Sequence, residues 1–205
     1  DGIRDKLVTG VQTCALPISA NTKTNVHDLI KKRWSARSFS PKQLSEDDVQ
    51  TILEAGTWAA SSMNEQPWKY LYAMNGTKGF DRMHSCLMTG NQPWSNNGSV
   101  LMISLAKKNF EYKGRINRHA MHDMGAANST LLLQAADMDV YGHMIGGFDM
   151  QKTLEEFNID SEKWEIACFI VLGYLDDAEK LDEPFLSREK KARTRRSVSE
   201  ISTKI

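Results

Sequence analysis

Residues 117–139 place the strongest constraint on the fold, because they form the longest predicted helix and leave almost no polar face. Large apolar residues such as Met124 and Leu131 are joined there by small ones such as Gly125 and Ala136. A helix with a polar stripe can lie on a surface, whereas one that is apolar or small on nearly every side has to be covered. We therefore expect this helix at the centre of the molecule or in an interface.

Four shorter segments have the composition of β-strands, and helical segments alternate with them. The strands are predicted at residues 68–74, 100–106, 140–145 and 164–174, and further helices at 25–34, 45–60, 77–88 and 149–157. Asn25, Ser45 and Asp149 are the predicted helix N-caps. This alternation predicts a mixed α/β or α+β fold around one sheet. We expect a single domain over residues 21–205, in which the charged residues 176–205 form an extended arm.

The composition favours a cytoplasmic protein without a nucleic-acid or membrane partner. The chain has 26 basic and 26 acidic residues, so its net charge would not attract a polyanion. Cys14, Cys86 and Cys168 are far apart in the sequence, which is typical of free thiols in a reducing compartment. No apolar run approaches the roughly 18 residues that a membrane span needs.

The first 20 residues differ from the rest of the chain. They imitate a signal peptide poorly, because Gly10, Gln12, Thr13 and Pro17 interrupt the apolar part. They resemble instead a translated sequencing-adapter read-through. We expect an artefactual or disordered leader, which takes no part in the fold predictions.

Arg33, Ser35 and Arg37 lie at alternate positions near the end of the first predicted helix. In an extended backbone such residues share a face, so two guanidinium groups and a hydroxyl can converge on a phosphate or a ribityl chain. A second basic cluster, at residues 193–196, lies near the end of the arm. Each cluster taken alone is more typical of a solvated basic surface or, for the second, of a nucleic-acid patch.

Residues 61–68 carry several short polar side chains between the second helix and the first strand. Hydroxyl and amide groups both donate and accept hydrogen bonds, which suits the edge of a planar heterocycle that carries carbonyls and ring nitrogens. The alternative is a helix C-cap and a turn before the strand. The candidate residues here are Ser61, Ser62, Asn64 and Gln66.

Gly146 and Gly147 are adjacent, after the third strand and before a helix. Without Cβ atoms, their backbone N–H groups can approach a ligand ring closely. The spacing does not match the glycine fingerprint of dinucleotide-binding folds. The alternative is a tight strand-to-helix turn.

The order of these motifs resembles the FMN-dependent nitroreductase family. The resemblance covers about residues 26–201 and implies an α+β fold with a central mixed sheet flanked by helices. The motifs that carry it are Arg33-x-Ser35-x-Arg37, Ser61-Ser62-x-Asn64-x-Gln66-Pro67-Trp68, Gly90-Asn91-Gln92-Pro93-Trp94, Gly146-Gly147-Phe148-Asp149, Val171-Leu172-Gly173-Tyr174 and Arg193-Thr194-Arg195.

The resemblance implies that these motifs bind FMN. The phosphate and ribityl chain would be held by Arg33, Ser35, Arg37, Arg193 and Arg195. The turn with Ser61, Ser62, Asn64 and Gln66 would come from the other subunit and meet the dimethylbenzene or pyrimidine end of the flavin. Asn91 would bind the ribityl or pyrimidine side, and the backbone N–H groups of Gly146 and Gly147 would lie near flavin N5. Relatives often carry a glutamate at the Gly146 position, so any side-chain role of that acid is lost here.

The resemblance further implies an obligate, intertwined homodimer with two FMN sites in the seam. The helix at 117–139 would pack against its copy, and the arm would wrap the partner, where Val198 and Ile201 add an edge strand. NAD(P)H would pass a hydride to flavin N5, and a nitroaromatic compound, a quinone or a related small-molecule acceptor would then reoxidise the flavin in a ping-pong sequence. No catalytic side chain is expected, because the chemistry takes place on the flavin.

Other interpretations stay open. One is a flavin-binding or redox-sensing module without turnover, and another is a specialised relative of the reductive dehalogenase or flavin-fragmenting type. Residues 109–118 fall where relatives vary their active-site lid, and their short length indicates a fairly open site. His119 and His122 share a helical face but lack a third ligand, so we predict no metal.

Overall fold

A four-stranded sheet forms the centre of the protein in the computed structural model, which describes residues 18–205. Helices flank this sheet, so the prediction of an α+β fold is confirmed. The four predicted strands are also confirmed, and only the second extends one residue further than expected. In the spatial order β1-β2-β4-β3, they are β1 (Trp68–Met74), β2 (Val100–Lys107), β3 (Val140–Ile145) and β4 (Trp164–Tyr174).

The sheet differs from the expected mixed sheet, because every strand pair within residues 18–205 is antiparallel. β2 and β3 run in the same direction, since both are antiparallel to β4. β4 lies between them and pairs with both, so the two parallel strands never become neighbours. The periodicity of a strand does not indicate which strands become its neighbours, so the position of β4 between β2 and β3 could not be predicted.

Both faces of the central strands are buried, which explains their continuous apolar sequences. On β2, Leu101 and Ile103 belong to one hydrophobic core, whereas Val100 and Met102 belong to another. Successive side chains of a strand point to opposite faces, so a strand covered on both sides needs apolar residues at nearly every position.

The α-helices that the structure describes are α1 (Asp28–Lys32), α2 (Glu46–Thr57), α3 (Lys78–Ser85), α4 (Gln92–Ser95), α5 (Ala120–Asp137), α6 (Met150–Glu156), α7 (Phe185–Lys190) and α8 (Val198–Ile201). Ser45 and Asp149 cap α2 and α6 as predicted. The cap of α1 is His27 instead of Asn25, because the His27 side chain accepts the N–H of Leu29. α3 ends three residues earlier than expected, where the chain turns to form a β-bridge between residues 87 and 148.

α5 packs against α2 over one core and leaves its other face open. Gly56 of α2 allows a close approach, since a Cβ there would lie 3.4 Å from the Leu131 Cβ. Leu131 and Leu132 are buried, as expected for a central helix. On the opposite face Met121 and Gly125 are exposed, and a Cβ on Gly125 would meet no atom within 4 Å. The chain alone therefore covers only one side of this helix.

The arm is less extended than predicted, because it contains α7 and α8. Glu189 of α7 is 2% exposed and anchors the arm to the domain. The expected edge strand at Val198 and Ile201 is instead the short helix α8, which Ser197 and Glu200 stabilise with a capping box. The capping box satisfies backbone N–H groups at the start of α8 without pairing to another strand.

Residues 1–17 of the predicted leader, including Cys14, lie outside the described part of the chain. Ile18 and Ala20, which the prediction also placed in the leader, form hydrogen bonds to the rest of the domain. The Ala20 amide donates to the Lys31 carbonyl at 3.1 Å, and the Ile18 carbonyl accepts from Arg193. Between residues 18 and 205, no helix combines the length and apolarity that crossing a membrane requires.

Candidate functional site

Arg33 and Ser35 lie in the extended segment that follows α1. The segment continues beside the end of β4, where the Ser40 amide donates to the Tyr174 carbonyl at 2.9 Å. The Arg33 guanidinium lies 3.4 Å from the Ser35 hydroxyl, and both are partly buried. These two predicted residues are therefore brought together.

Arg193 and Arg195 of the arm approach the same place. Arg193 donates to the Lys31 carbonyl at 2.7 Å and to the Ile18 carbonyl at 3.1 Å. Burial lowers the pKa of Arg33, and the charge of Arg195 lowers it further. Burial likewise lowers the pKa of Arg193, followed by the charges of Arg33 and Arg195. The charge of Arg195 thus acts on both Arg33 and Arg193, although Arg195 is itself exposed and its guanidinium donates to the Thr194 carbonyl at 2.7 Å.

In the part of the chain that the structure describes, no carboxylate pairs with this arginine cluster (Arg33, Arg193 and Arg195). Among residues 18–205, none of the three guanidinium groups forms an ion pair with an acidic side chain. Arg33 and Arg193 are partly buried and Arg195 is exposed, and cations without an acidic partner at such a site favour the binding of an anion. The arrangement can therefore bind a phosphate group.

Arg37 departs from the predicted clamp. Its guanidinium lies 3.9 Å from a carboxylate oxygen of Glu189 and 5.7 Å from the centre of the Trp94 ring. Burial lowers its pKa, and the charge of Glu189 opposes that shift. The Arg37 amide and the Ser38 amide also donate to Glu189, at 2.9 and 3.1 Å. Arg37 thus contacts the arm. The sequence did not indicate Glu189 as its partner, because the arm contains many acidic residues.

His143 of β3 contacts the backbone of the segment between Arg33 and Arg37. No sequence motif indicated this residue. Its Nδ1–H donates to the Ala36 carbonyl at 3.0 Å, and its ring lies 4.6 Å from that of Trp94. Burial, and next the charge of Arg37, lower the pKa of His143 to about 4. A neutral imidazole therefore connects the sheet to the backbone between Arg33 and Arg37.

Gly146 and Gly147 follow β3 and expose backbone N–H groups. Neither amide donates a hydrogen bond within the part of the chain that the structure describes. The Gly147 carbonyl accepts from the Met88 amide at 3.1 Å and from the Asn91 side chain at 2.9 Å. A Cβ on Gly147 would lie 2.5 Å from the Asn91 Nδ2, so a side chain there would break this contact. Asn91 thus stabilises the loop of Gly146 and Gly147, and its side-chain NH2 group is engaged in this hydrogen bond.

The turn of residues 61–66 adopts an unusual backbone. Met63, Asn64 and Gln66 have φ angles of 55°, 55° and 50°, in the left-handed region that non-glycine residues rarely adopt. The Ser61 hydroxyl accepts the Gln66 amide at 3.0 Å, and the Gln66 side chain donates to the Asn64 carbonyl at 3.2 Å. Such strain persists where the surroundings enforce it, often at ligand sites.

A single chain does not bring this turn to the glycine pair. The turn precedes β1 and the glycines follow β3, and these strands lie at opposite edges of the sheet. Three strand spacings of about 4.8 Å separate the two edges by roughly 14 Å. Contact of one ligand ring with both would therefore require a second copy of the chain.

Residues 109–116 form a small hairpin, closed by a bridge between Asn109 and Ile116. The Glu111 amide donates to the Glu65 carboxylate at 2.6 Å, which links this hairpin to the turn of residues 61–66. A cavity of about 340 Å³ lies between the hairpin and residues 160–163. Within residues 18–205 no three histidine, cysteine or acidic side chains are placed to hold a metal ion.

Comparison with known proteins identifies relatives over most of the chain. The model of the nitroreductase family matches residues 30–84 and 80–174. A Haemophilus influenzae protein provisionally named an NAD(P)H nitroreductase is 34% identical over 99 residues, which are 44% of this chain and 41% of that protein. The Bacillus subtilis protein YdgI, with the same provisional name, is 22% identical over 191 aligned positions, 76% of this chain and 91% of that protein.

A solved structure extends the similarity to the fold. The crystal structure of an oxidoreductase containing FMN superposes with a TM-score of 0.85 at 27% identity. The match covers 90% of this chain and 93% of the other.

Proposed function

Because this chain belongs to the nitroreductase family, we propose that it is an FMN-dependent oxidoreductase that uses NAD(P)H to reduce a small-molecule acceptor, such as a nitroaromatic compound or a quinone. The names of the two bacterial relatives support NAD(P)H as reductant, and the similar crystal structure contains FMN. One observation of this chain carries the proposal, namely an arginine cluster that pairs with no carboxylate among residues 18–205.

The arginine cluster fits the phosphate end of FMN. The pKa values of Arg33 and Arg193 are lowered by burial and by neighbouring arginine charges, and a phosphate dianion beside them would offset that repulsion. Planar guanidinium forks bind phosphate oxygens through paired, charge-assisted hydrogen bonds. Ser35 beside Arg33 adds a hydroxyl that can reach the same phosphate or the ribityl chain.

The glycine pair fits the ring end of the flavin. The free N–H groups of Gly146 and Gly147 can donate to ring acceptors, and the space beside Gly146 is open, since a Cβ there would meet nothing within 4 Å. Asn91 keeps the loop in place through the Gly147 carbonyl. When bound, FMN supplies the redox chemistry by taking a hydride from NAD(P)H and passing electrons to the acceptor. The residues named here bind and orient it, and no side-chain nucleophile is required.

A homodimer completes the proposed site. The turn of residues 61–66 would serve the flavin of the other subunit, because within one chain it lies at the far edge of the sheet from Gly146. Exposed apolar residues support a second copy as neighbour; they are Trp58, Met63, Met121, Val198 and Ile201. As part of the same proposal we place the protein in the cytoplasm, which suits the free thiols of Cys86 and Cys168.

Absorbance spectroscopy tests the proposal. We expect the purified protein to be yellow and to bleach without oxygen when NADH or NADPH is added. A yellow protein that neither nucleotide bleaches would indicate a flavin-binding module without turnover, and a protein that binds no FMN would refute the proposal.

A double variant tests the phosphate site. Arg33→Ala with Arg193→Ala should weaken FMN binding at least about 100-fold, because each charge-assisted hydrogen bond contributes about 1.5–3 kcal/mol. Arg82→Ala is the control, since Arg82 pairs with Glu156 outside the cluster. Full FMN occupancy in the double variant would show that the arginine cluster is not the phosphate site.

A further inference from the structure

Asp123 is a buried acid that none of the sequence motifs includes. It lies in the first turn of α5 and is 3% exposed. Its Oδ2 accepts the Ser62 amide at 2.9 Å, and its Oδ1 accepts from His122 Nδ1 at 3.1 Å. The first bond spans 61 positions of sequence and joins α5 to the turn of residues 61–66.

This turn needs support from outside. Its three left-handed residues cost on the order of 1–3 kcal/mol each, so another backbone conformation would be favoured if nothing held this one. The hydrogen bonds of Ser61 and Gln66 close the turn but do not attach it to the domain. Within residues 18–205, two side-chain hydrogen bonds attach it, from the Ser62 amide to Asp123 and from the Glu111 amide to Glu65. The second leads only to the exposed hairpin of residues 109–116.

The burial of Asp123 needs a reason beyond the stability of α5. An acid in the first turn of a helix interacts favourably with the helix dipole. That interaction is available at an exposed position too, whereas burial of a carboxylate is costly unless hydrogen bonds compensate. The Ser62 amide provides such a bond. The position of Asp123 is thus explained by the turn better than by its own helix.

We infer that Asp123 is a positioning residue, which holds the turn of residues 61–66 in the conformation that presents Ser61, Ser62 and Asn64 to the flavin. The inference rests on the proposed function for the identity of the ligand. The positioning itself concerns the free protein, because the contact between Asp123 and Ser62 exists without any ligand.

Two variants separate the hydrogen bond from the charge. Asp123→Ala removes the acceptor and leaves the Ser62 amide without a partner. Asp123→Asn keeps an oxygen for that amide, while its NH2 group can donate to His122 Nδ1 in the other tautomer. Asp48→Ala is the matched control, because Asp48 accepts the Ser45 amide at 3.0 Å in the cap of α2, away from the turn.

Hydrogen exchange of the FMN-free protein measures the positioning directly. We expect the amides of residues 61–66 to exchange at least about tenfold faster in Asp123→Ala than in the wild type, because the Ser62 amide, which attaches the turn to α5, has lost its acceptor. Asp123→Asn and Asp48→Ala should keep the wild-type rates in this turn. Unchanged exchange in Asp123→Ala, or equally fast exchange in Asp123→Asn, would overturn the inference. Should Asp123→Ala not fold, Asp123→Glu, which displaces the carboxylate by one methylene, takes its place with the same expectation.

FMN titration then tests the consequence for the ligand. Asp123→Ala should bind FMN about tenfold more weakly, and Asp123→Asn should recover most of the affinity. An unchanged affinity in Asp123→Ala would overturn the link to the flavin. If the wild type itself binds no FMN, the proposed function fails, while the exchange experiment still decides whether Asp123 holds the turn.

Discussion

At the scale of single residues, the site depends on buried and half-buried polar side chains that form hydrogen bonds to the backbone. His143 donates to the Ala36 carbonyl, Glu189 accepts the Arg37 and Ser38 amides, and Asp123 accepts the Ser62 amide. A buried backbone group without a partner costs about 1–3 kcal/mol. These side chains therefore stabilise irregular segments that neither helix nor sheet hydrogen bonds could support.

Stability below neutral pH should depend on His143. Its pKa is about 4 in the folded protein and about 6.5 in an unfolded chain, so between these values the unfolded state binds more protons. The folded state consequently loses stability as pH falls from 6.5 towards 4, by about 2–3 kcal/mol at pH 4.5. Urea unfolding of the FMN-free wild type and of His143→Gln at pH 7 and 4.5 measures this. The stability difference between the two proteins should change with pH, and a constant difference would contradict the assignment.

At the scale of elements, α7 links the arm to the site. Glu189 brings this helix onto the segment that contains Arg37, and Arg193 follows a few residues later. Burial raises the pKa of Glu189, while the hydrogen bonds from Arg37 and Ser38 lower it. The carboxylate of Glu189 thus anchors the arm to the domain a few residues before Arg193 and Arg195.

Loss of this carboxylate should release the arm. Glu189→Ala leaves two backbone amides without their acceptor, so we expect a loss of about 3 kcal/mol in unfolding free energy and faster hydrogen exchange over residues 185–205. Glu179→Ala is the control on the same arm, because its exposed ion pair with Lys190 contributes less than about 1 kcal/mol. Similar exchange in the two variants would show that Glu189 does not anchor the arm.

At the scale of the whole molecule, one chain supplies only parts of the proposed flavin site. The segment that contains Arg33 contacts His143 of β3, and the glycine pair follows β3, whereas the turn of residues 61–66 lies at the opposite sheet edge. The open face of α5, with Met121 and Gly125, offers a surface for a second copy. Closed two-fold symmetry would use the same face of both chains.

Gly125→Arg should separate folding from assembly. In a single chain the substitution is harmless, since a Cβ at Gly125 meets no atom within 4 Å and arginine favours a helix more than glycine does. Between two copies of α5 the added side chain would block close packing. We expect sedimentation to give twice the chain mass of 23.2 kDa for the wild type and a folded monomer with little FMN for the variant.

Asp137→Arg, at the exposed end of the same helix, is the control and should stay dimeric. A wild-type monomer that binds FMN would contradict the shared site. So would a Gly125→Arg dimer with full FMN occupancy.

The sequence by itself determined the secondary structure well, because helices and strands depend on near neighbours. Aromatic, β-branched and apolar composition identified the strands, and Ser45 and Asp149 marked helix starts through bonds that span only three residues. The order of the motifs indicated the family. The insertion of β4 between β2 and β3, and the helix at residues 198–201 in place of a strand, had no such local signal.

Only the tertiary structure decided which polar residues meet. Arg33 and Arg37 look equivalent in the sequence, yet Arg33 joins Arg193 and Arg195 while Arg37 turns to Glu189, 152 positions away. Asp123 and His143 likewise obtain their roles from segments that are distant in the chain. The physical reason is that burial and hydrogen bonding depend on distances in space, and these are set by how the helices and strands pack and not by the spacing of residues along the chain.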